Sequence, residues 1–197
     1  MKDLTNFLFE ANTLKRIKRT GWQILGVKDE SVAEHMWMTA VIGYVLAKLA
    51  RAQVDKVVLM CLFHNFYEAR VGELNSINKL YLQRKKGRKK AEEEIFSKLP
   101  FGQEVTSLLR EYEERKTKEG KLAVDASRLA FLIQLKEFIE KGDREAERWF
   151  SFNKRFFYTK EAKNLAEAIE KTKMHAWWHQ LMEGCRSGRT GASGERV

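Results

Sequence analysis

Apolar residues recur at helical spacing along most of the chain. In the first segment they follow three- and four-residue steps at Leu4, Phe7, Leu8, Ala11, Leu14 and Ile17. This spacing is typical of an amphipathic helix with one buried face. The sequence contains no run in which polar and apolar residues alternate with the two-residue period of a β-strand. The pattern therefore predicts an all-α protein.

Start and stop signals divide this pattern into separate helices. Ser31–Glu34 matches a capping box and predicts a helix that continues to about Ala50. Asp55 is a plausible cap for the next helix, which we expect to end at Gly72. Further helices are predicted at about 77–83, 91–99, 102–116, 120–141, 144–153 and 160–182. The basic run Arg84–Lys90 is predicted to be an exposed loop that enters a helix.

Histidine is scarce, and two of the four copies lie where chemistry is plausible. His35 falls in the first turns of the capped helix, and His64 follows the buried apolar run Val57–Phe63. Glu68 is four residues beyond His64, so the sequence predicts that both project from one helical face. Asp125 completes the order, and histidine nitrogens with carboxylate oxygens suit divalent metals. Three helices could thus supply metal ligands.

Four motifs occur together and in order along the chain. They are Leu14–Trp22, Glu30–His35, His64–Glu73 and Val124–Leu129. Together they resemble the HD superfamily of metal-dependent phosphohydrolases, in the branch that contains the 5'-deoxynucleotidases. The resemblance implies a helical bundle, the HD domain, that is usually dimeric. It also implies one divalent metal ion (Mn, Co, Ni, Fe, Zn or Mg) and the dephosphorylation of deoxynucleoside 5'-monophosphates.

The resemblance assigns roles to individual residues. The metal ligands would be His35, His64, Asn65 and Asp125, with Asn65 standing where the family has aspartate. Two acidic residues carry over as catalytic groups. Glu68 would orient water or shuttle a proton beside the metal, and Glu73 stands where the family commonly has aspartate, near the sugar.

Two further residues are candidates for substrate binding. The guanidinium of Arg19 can form paired hydrogen bonds to a phosphate, although an exposed arginine at a helix end is an equally good interpretation. Trp22 either packs beside the nucleoside or fills the core, and the core is the favoured interpretation. His175 and His179 are four residues apart and could chelate zinc, but packing of the last helix explains the pair better.

Asn65 leaves the activity open, because an amide oxygen binds metal with less charge than a carboxylate does. It is a tolerated natural variation, the mark of a degenerate binding protein, or an inactivating substitution, and the sequence does not choose between them. The leading hypothesis is a phosphohydrolase of nucleoside 5'-monophosphates. The alternative is an inactive nucleotide-binding or regulatory HD-domain protein, and a third hypothesis is a helical RNA- or DNA-binding protein.

Composition refines these expectations. The 197 residues are 44% hydrophobic, which is enough for one HD domain, predicted at 1–183, with a flexible tail at 184–197. The sequence shows neither a membrane span nor a signal peptide, so a cytoplasmic location is expected. The net charge of +10 favours anionic partners, but lysine and arginine alternate with glutamate along most helices. A solvated, ion-paired surface is therefore favoured over a nucleic-acid interface.

Overall fold

The computed structural model describes residues 1–27 and 30–188 and confirms the all-α class. The helices are α1 Lys2–Thr13, a 3-10 helix Thr20–Leu25, α2 Val32–Ala50, α3 Val54–Phe63, α4 Glu68–Val71, α5 Asn78–Tyr81, α6 Arg84–Phe96, α7 Gly102–Glu114, α8 Lys118–Glu140, α9 Arg144–Asn153, α10 Lys160–Lys171 and α11 Ala176–Gly188. Within the described residues, extended pairing is limited to one bridge between Lys18 and Ser31.

The predicted capping box at the start of α2 is present. The Ser31 side chain accepts a hydrogen bond from the Glu34 backbone N–H at 3.2 Å. The Glu34 carboxylate in turn accepts from the Ser31 backbone N–H at 2.6 Å. These bonds satisfy two amide groups that the first turn leaves free. They fix the start of the helix, and with it the position of His35.

The main core lies where α2 and α3 pack against α8. Helix α8 supplies much of it through four leucines that are fully buried, namely Leu122, Leu129, Leu132 and Leu135. Helix α2 approaches α3 closely at Gly43, where an added Cβ would lie 2.7 Å from the Cys61 sulfur. Any larger residue at this position would push the two helices apart. The close contact brings the His35 end of α2 toward the His64 end of α3.

A second, smaller core forms under α1, α6 and α7. Phe7 stacks on Phe66 at 4.8 Å between ring centroids, and Phe96 lies beside both rings. The burial of Phe66 explains why the predicted helix from Asp55 to Gly72 is interrupted. Helix α3 ends at Phe63, the chain turns so that Phe66 enters this core, and α4 begins at Glu68. The prediction that His64 and Glu68 share one helical face is therefore wrong.

The basic run Arg84–Lys90 is helical rather than a loop, because it forms the first half of α6. Arg88 is buried, and its guanidinium pairs with Glu92 at 2.6 Å and with Glu113 at 2.8 Å. Glu92 on the same helix and Glu113 on α7 thus offset the repulsion within the basic run. The sequence prediction missed the contribution of Glu113 because this residue is distant along the chain.

The C-terminal region also differs in detail from the prediction. A break at 172–175 separates α10 from α11, where one helix was expected over 160–182. The expected flexible tail starts at Gly184, but α11 continues to Gly188, and 189–197 lie outside the described residues. The domain limits 1–183 stay a prediction. Among the described residues no helix is long and apolar enough to span a bilayer, and the cytoplasmic location also stays a prediction.

Candidate functional site

The structure brings His35 and His64 together in the interior. His35 lies on α2 and His64 caps the end of α3, and their ring centroids are 5.5 Å apart. Both side chains are buried. Their Nε2 atoms approach the same oxygen, Ser127 Oγ on α8, at 3.1 Å for His35 and 3.3 Å for His64. Three helices therefore converge on one point, as the order of the sequence motifs suggests.

Both imidazoles are neutral at ordinary pH. Burial lowers the pKa of His35 and His64 well below the usual range, and nearby positive charge lowers both further. His64 Nδ1 lies 2.7 Å from the Cys61 carbonyl oxygen and donates to it, so Nε2 keeps its lone pair. His35 Nδ1 lies 3.6 Å from the Glu30 carboxylate. A neutral ring whose second nitrogen faces a carbonyl or carboxylate is a typical metal ligand.

Asp125 does not lie with this histidine pair. Its carboxylate accepts hydrogen bonds from the Tyr158 and Thr159 backbone N–H groups at 2.8 to 3.1 Å and from the Thr159 hydroxyl at 2.8 Å. It therefore anchors the segment that leads into α10. Residues two apart on a helix point about 200° apart. Because Ser127 faces the histidines, Asp125 faces away, and the structure does not place it as a ligand.

Asn65 and Ser127 line a cavity of about 340 Å³ that opens above His64. Six basic residues surround it, namely Arg19, Lys79, Arg84, Lys85, Arg88 and Arg115. Three acidic residues lie among them, namely Glu68, Glu73 and Glu113. A concave site with an excess of positive side chains attracts anions. Guanidinium groups in particular match the oxygens of a phosphate.

Glu68 is a buried carboxyl in the wall of this cavity. One oxygen accepts a hydrogen bond from the Tyr67 hydroxyl at 3.1 Å, and the other has no hydrogen-bond partner among the described residues. Burial raises the pKa of Glu68 to about 7, with Arg19 opposing the shift and Glu73 adding to it. A carboxyl that exchanges its proton near neutral pH is suited to general acid or base chemistry.

Arg19 and Glu73 meet at the rim of the cavity. The Arg19 guanidinium lies 3.8 Å from the Glu73 carboxylate and 3.5 Å from the Glu30 carboxylate. Glu73 also accepts a hydrogen bond from the Thr20 backbone N–H at 2.7 Å. Only 16% of the Arg19 side chain is exposed, so it is not the free arginine of a helix end. Arg19 lies where it can contact an anion in the cavity.

Trp22 occupies the core, as the favoured interpretation expects. Its ring stacks on Phe131 at 4.8 Å and meets Phe138 edge-on at 5.3 Å. Its indole N–H donates to Glu30 at 2.8 Å. Trp22 also lines a second cavity, of about 460 Å³, that adjoins the first and includes Trp149 in its wall. A role in substrate binding stays a prediction.

Sequence reasoning missed Ser127, Glu30 and the α6 arginines as members of the site. Ser127 belongs to the motif Val124–Leu129, but the spacing of apolar residues in the sequence did not reveal which polar residue of the motif faces the histidines. Arg84 donates to the Tyr67 hydroxyl at 3.0 Å, and the Arg88 guanidinium lies 4.9 Å from the Tyr67 ring centroid. Their four-residue spacing would have placed both on one face had the basic run been assigned to a helix.

The donors available to a metal ion are two imidazole nitrogens and the neutral oxygens of Asn65 and Ser127. In the described part of the chain, no three His, Cys, Asp or Glu side chains gather in a way that could hold a metal. This applies also to His175 and His179, which are exposed near the C-terminal helix. Among the residues that the structure describes, the histidine pair is thus the best candidate for holding a metal, and no third His, Cys, Asp or Glu joins it.

Comparison with known proteins identifies relatives over most of the chain. The HD-domain family model matches residues 11–173. The 5'-deoxynucleotidase HDDC2 of Dictyostelium discoideum is 32% identical over 158 residues, which cover 75% of this chain and 83% of that protein. The 5'-deoxynucleotidase HDDC2 of Homo sapiens is 30% identical over 141 residues, covering 70% of this chain and 69% of its own.

Solved structures have the same arrangement of helices. A conserved hypothetical protein from Pyrococcus furiosus superposes with a TM-score of 0.71 at 27% identity, covering 85% of this chain and 99% of its own. A predicted metal-dependent phosphohydrolase from Magnetospirillum magnetotacticum superposes with a TM-score of 0.66 at 24% identity, covering 85% of this chain and 92% of its own. The likeness to the Magnetospirillum magnetotacticum protein concerns the fold alone.

The raised pKa of Glu68 predicts a stability cost that depends on pH. Between about pH 4.5 and 7 the carboxyl ionises in the unfolded chain but stays protonated in the folded one, so stability falls as pH rises. Glu68→Gln should therefore exceed wild type in unfolding free energy by about 3 kcal/mol at pH 8 and match it at pH 4. Urea denaturation measures the difference. The exposed Glu93→Gln is the control, and a Glu68→Gln difference that does not vary with pH would contradict the prediction.

Proposed function

Because this chain belongs to the HD-domain family, we propose that it is a metal-dependent phosphohydrolase that releases phosphate from nucleoside 5'-monophosphates, including the deoxy forms. The observation that carries the proposal is a buried pair of neutral histidines at a cavity with an excess of basic side chains. The names of the relatives, which are 5'-deoxynucleotidases, support the class of substrate. The preference for a deoxyribose rests on those relatives.

The cofactor that the family implies is a divalent metal ion. The Nε2 atoms of His35 and His64 fit a borderline ion such as zinc, cobalt or nickel, which imidazole binds well. The oxygens of Asn65 and Ser127 are the other donors available on the cavity side. They carry no charge and so fit magnesium poorly, since it prefers carboxylates. When bound, such an ion polarises a phosphoryl oxygen and lowers the pKa of a bound water.

The basic residues around the cavity would bind the phosphate. Arg19, Lys79 and Arg84 reach it from three separate segments of the chain. Burial lowers the pKa of Lys79, and the positive charge of the neighbouring Arg84 lowers it further. A phosphate dianion would relieve their mutual repulsion. Phosphate binding would therefore be most favourable at the place where these side chains converge.

The adjoining second cavity supports a nucleotide rather than a small phosphate ester. It shares Arg19, Glu73 and Lys79 with the first cavity, so the two meet at the rim. Its remaining wall includes the aromatic rings of Phe131, Trp149 and Phe152. Aromatic surface of this kind suits a sugar and a base. A phosphate in the first cavity would thus leave the nucleoside in the second.

Glu68 would hold or move a proton during hydrolysis. Its oxygen without a hydrogen-bond partner is free to accept a proton from water or return one to the leaving oxygen. Arg84, Tyr67 and Glu68 form a hydrogen-bonded series that fixes the orientation of the carboxyl. Because the pKa of Glu68 is about 7, both protonation states are populated near neutral pH.

A second candidate is a nucleotide-binding or regulatory protein without turnover. The observation that favours it is the pair of neutral residues, Asn65 and Ser127, in place of charged ligands at the histidine pair. Such a protein would bind a nucleotide through the basic cavity and release no phosphate.

We also propose that the chain forms a homodimer through α2. Apolar side chains lie exposed along one face of this helix at Trp37, Val41, Tyr44, Val45 and Leu49. Their spacing keeps them on adjacent turns, away from the face that packs on α3 and α8. A row of exposed apolar residues on a helix favours association with another apolar surface. The resemblance to the HD superfamily implies a dimer, so we take a second copy of this chain as the partner.

Phosphate release from a panel of ribo- and deoxynucleoside monophosphates, with single divalent metals added, tests the proposed activity. Wild type should release phosphate, His64→Ala should release none and lose metal, and Glu68→Gln should fall about 100-fold while keeping metal. His179→Ala, which changes an exposed histidine, is the matched control. Equal turnover in wild type and His64→Ala would contradict the hydrolase, whereas nucleotide binding without any release would favour the second candidate.

Arg84→Ala should weaken substrate binding. Loss of one partly buried guanidinium contact with phosphate should raise KM or the nucleotide Kd at least tenfold, about 1.4 kcal/mol. Arg84→Lys should recover part of the loss because it keeps the charge. Lys90→Ala removes an exposed positive charge from the same helix and should have little effect. If Lys90→Ala and Arg84→Ala weaken binding equally, general charge rather than the cavity binds the phosphate.

Trp37→Glu should separate the proposed dimer into monomers, because it places a charge in the centre of the apolar face. Light scattering after size-exclusion chromatography measures the mass of each species. Leu8→Glu changes an equally exposed apolar residue on α1 and should leave the mass unchanged. A monomeric wild type, or a dimer that tolerates Trp37→Glu, would show that α2 is not the interface.

A further inference from the structure

We infer that Ser127, rather than Asp125, is the α8 residue that faces the metal position, and that this chain lacks both carboxylates of a complete centre. Its donors are two imidazoles and two neutral oxygens, so it binds divalent metal weakly, and aspartates at positions 65 and 127 would complete it. This inference rests on the metal site of the proposed function. It concerns affinity and ligand identity, which are measured independently of turnover.

The geometry of α8 identifies Ser127. Val124 and Ser127 are three residues apart, lie on one face of the helix, and both line the cavity. The Ser127 oxygen lies within hydrogen-bond distance of both histidine Nε2 atoms. The two ring nitrogens and the hydroxyl oxygen between them define where a cation would be held. A longer acidic side chain at position 127 would extend toward that point.

Asp125 is committed to another part of the fold. It is fully buried, and its two oxygens satisfy the Tyr158 and Thr159 backbone N–H groups and the Thr159 hydroxyl. Turning the carboxylate toward the histidines would leave these donors buried without partners. Unsatisfied buried donors are costly. Asp125 therefore stabilises the approach of α10 to α8 and does not contribute to the histidine site.

The surrounding charges make the missing carboxylates important. Arg19, Arg84 and Arg88 line the cavity beside the histidine pair, and each repels a divalent cation. In a complete centre, two ionised ligands next to the ion would offset this repulsion. Asn65 and Ser127 offer only dipoles. The same positive field that suits phosphate therefore weakens metal binding in this chain, and an aspartate at either position should strengthen it.

Calorimetric titration of metal-stripped protein with zinc, cobalt, manganese and magnesium ions tests the inference. Ser127→Asp and Asn65→Asp should each raise metal affinity at least tenfold, and the double variant about a hundredfold, which corresponds to about 2.7 kcal/mol. The double variant should also bind manganese or magnesium, which prefer carboxylate oxygens. His64→Ala serves as the blank, because any binding that it retains belongs to other sites, such as the exposed His175 and His179.

Two matched variants distinguish position 127 from position 125. Asp125→Asn should leave metal affinity within twofold of wild type while lowering the melting temperature. Ser107→Asp places the same new charge on an exposed position of α7 and should not alter metal binding. If instead Asp125→Asn abolishes metal binding in a folded protein, or the double variant binds no more tightly than wild type, the inference is overturned.

A spectroscopic measurement keeps the test decisive if Ser127→Asp does not fold. Ser127→Cys is nearly isosteric, and a thiolate that ligates cobalt gives a near-ultraviolet charge-transfer absorption. We expect this band in Ser127→Cys and not in Asp125→Cys, with wild type correcting for Cys61 and Cys185. The reverse pattern would overturn the inference. Tight metal binding by the double aspartate variant without phosphate release from any nucleotide would support it and contradict the hydrolase.

Discussion

The close contact of α2, α3 and α8 is the constraint on which the site depends. Gly43 lets α2 approach Cys61 on α3, and the apolar face of α8 closes the third side. These contacts bury His35 and His64 so completely that both stay neutral. Burial thus does two things at once. It builds the main core, and it keeps two imidazoles in the neutral form that can ligate a metal.

The charged residues around the pair are ordered by a few buried carboxylates. The Glu30 carboxylate contacts three groups, namely the Trp22 indole, the Arg19 guanidinium and the His35 ring. This single side chain therefore links the core to the cavity and to the histidine pair. Glu68, by contrast, is buried with one oxygen unpaired. A folded protein tolerates such a destabilising arrangement most readily where the unpaired group has a chemical task.

The sequence predicted those features of the site that depend on local pattern. The capping box located His35 because hydrogen bonds within one turn determine where a helix starts, and the apolar run 57–63 located His64. The sequence did not distinguish Ser127 from Asp125, because α8 is buried on several sides and its apolar pattern does not define a single face. The basic run of α6 was assigned to a loop because its partner Glu113 belongs to another helix. Contacts between helices determine which residue of α8 faces the histidines, and they also determine that the basic run is helical.

The proposed metal site and the proposed phosphate site are built from different segments of the chain. The imidazoles come from α2 and α3, whereas the phosphate would contact Arg19 before the 3-10 helix and the arginines of α6. In the inferred centre, the neutral residues Asn65 and Ser127 weaken metal binding and leave the positive cavity intact. Indeed, each negative charge removed from the ligand set increases the net attraction for an anion. In the proposed centre, the residues at positions 65 and 127 therefore set the balance between the affinity for a metal ion and the affinity for a phosphate.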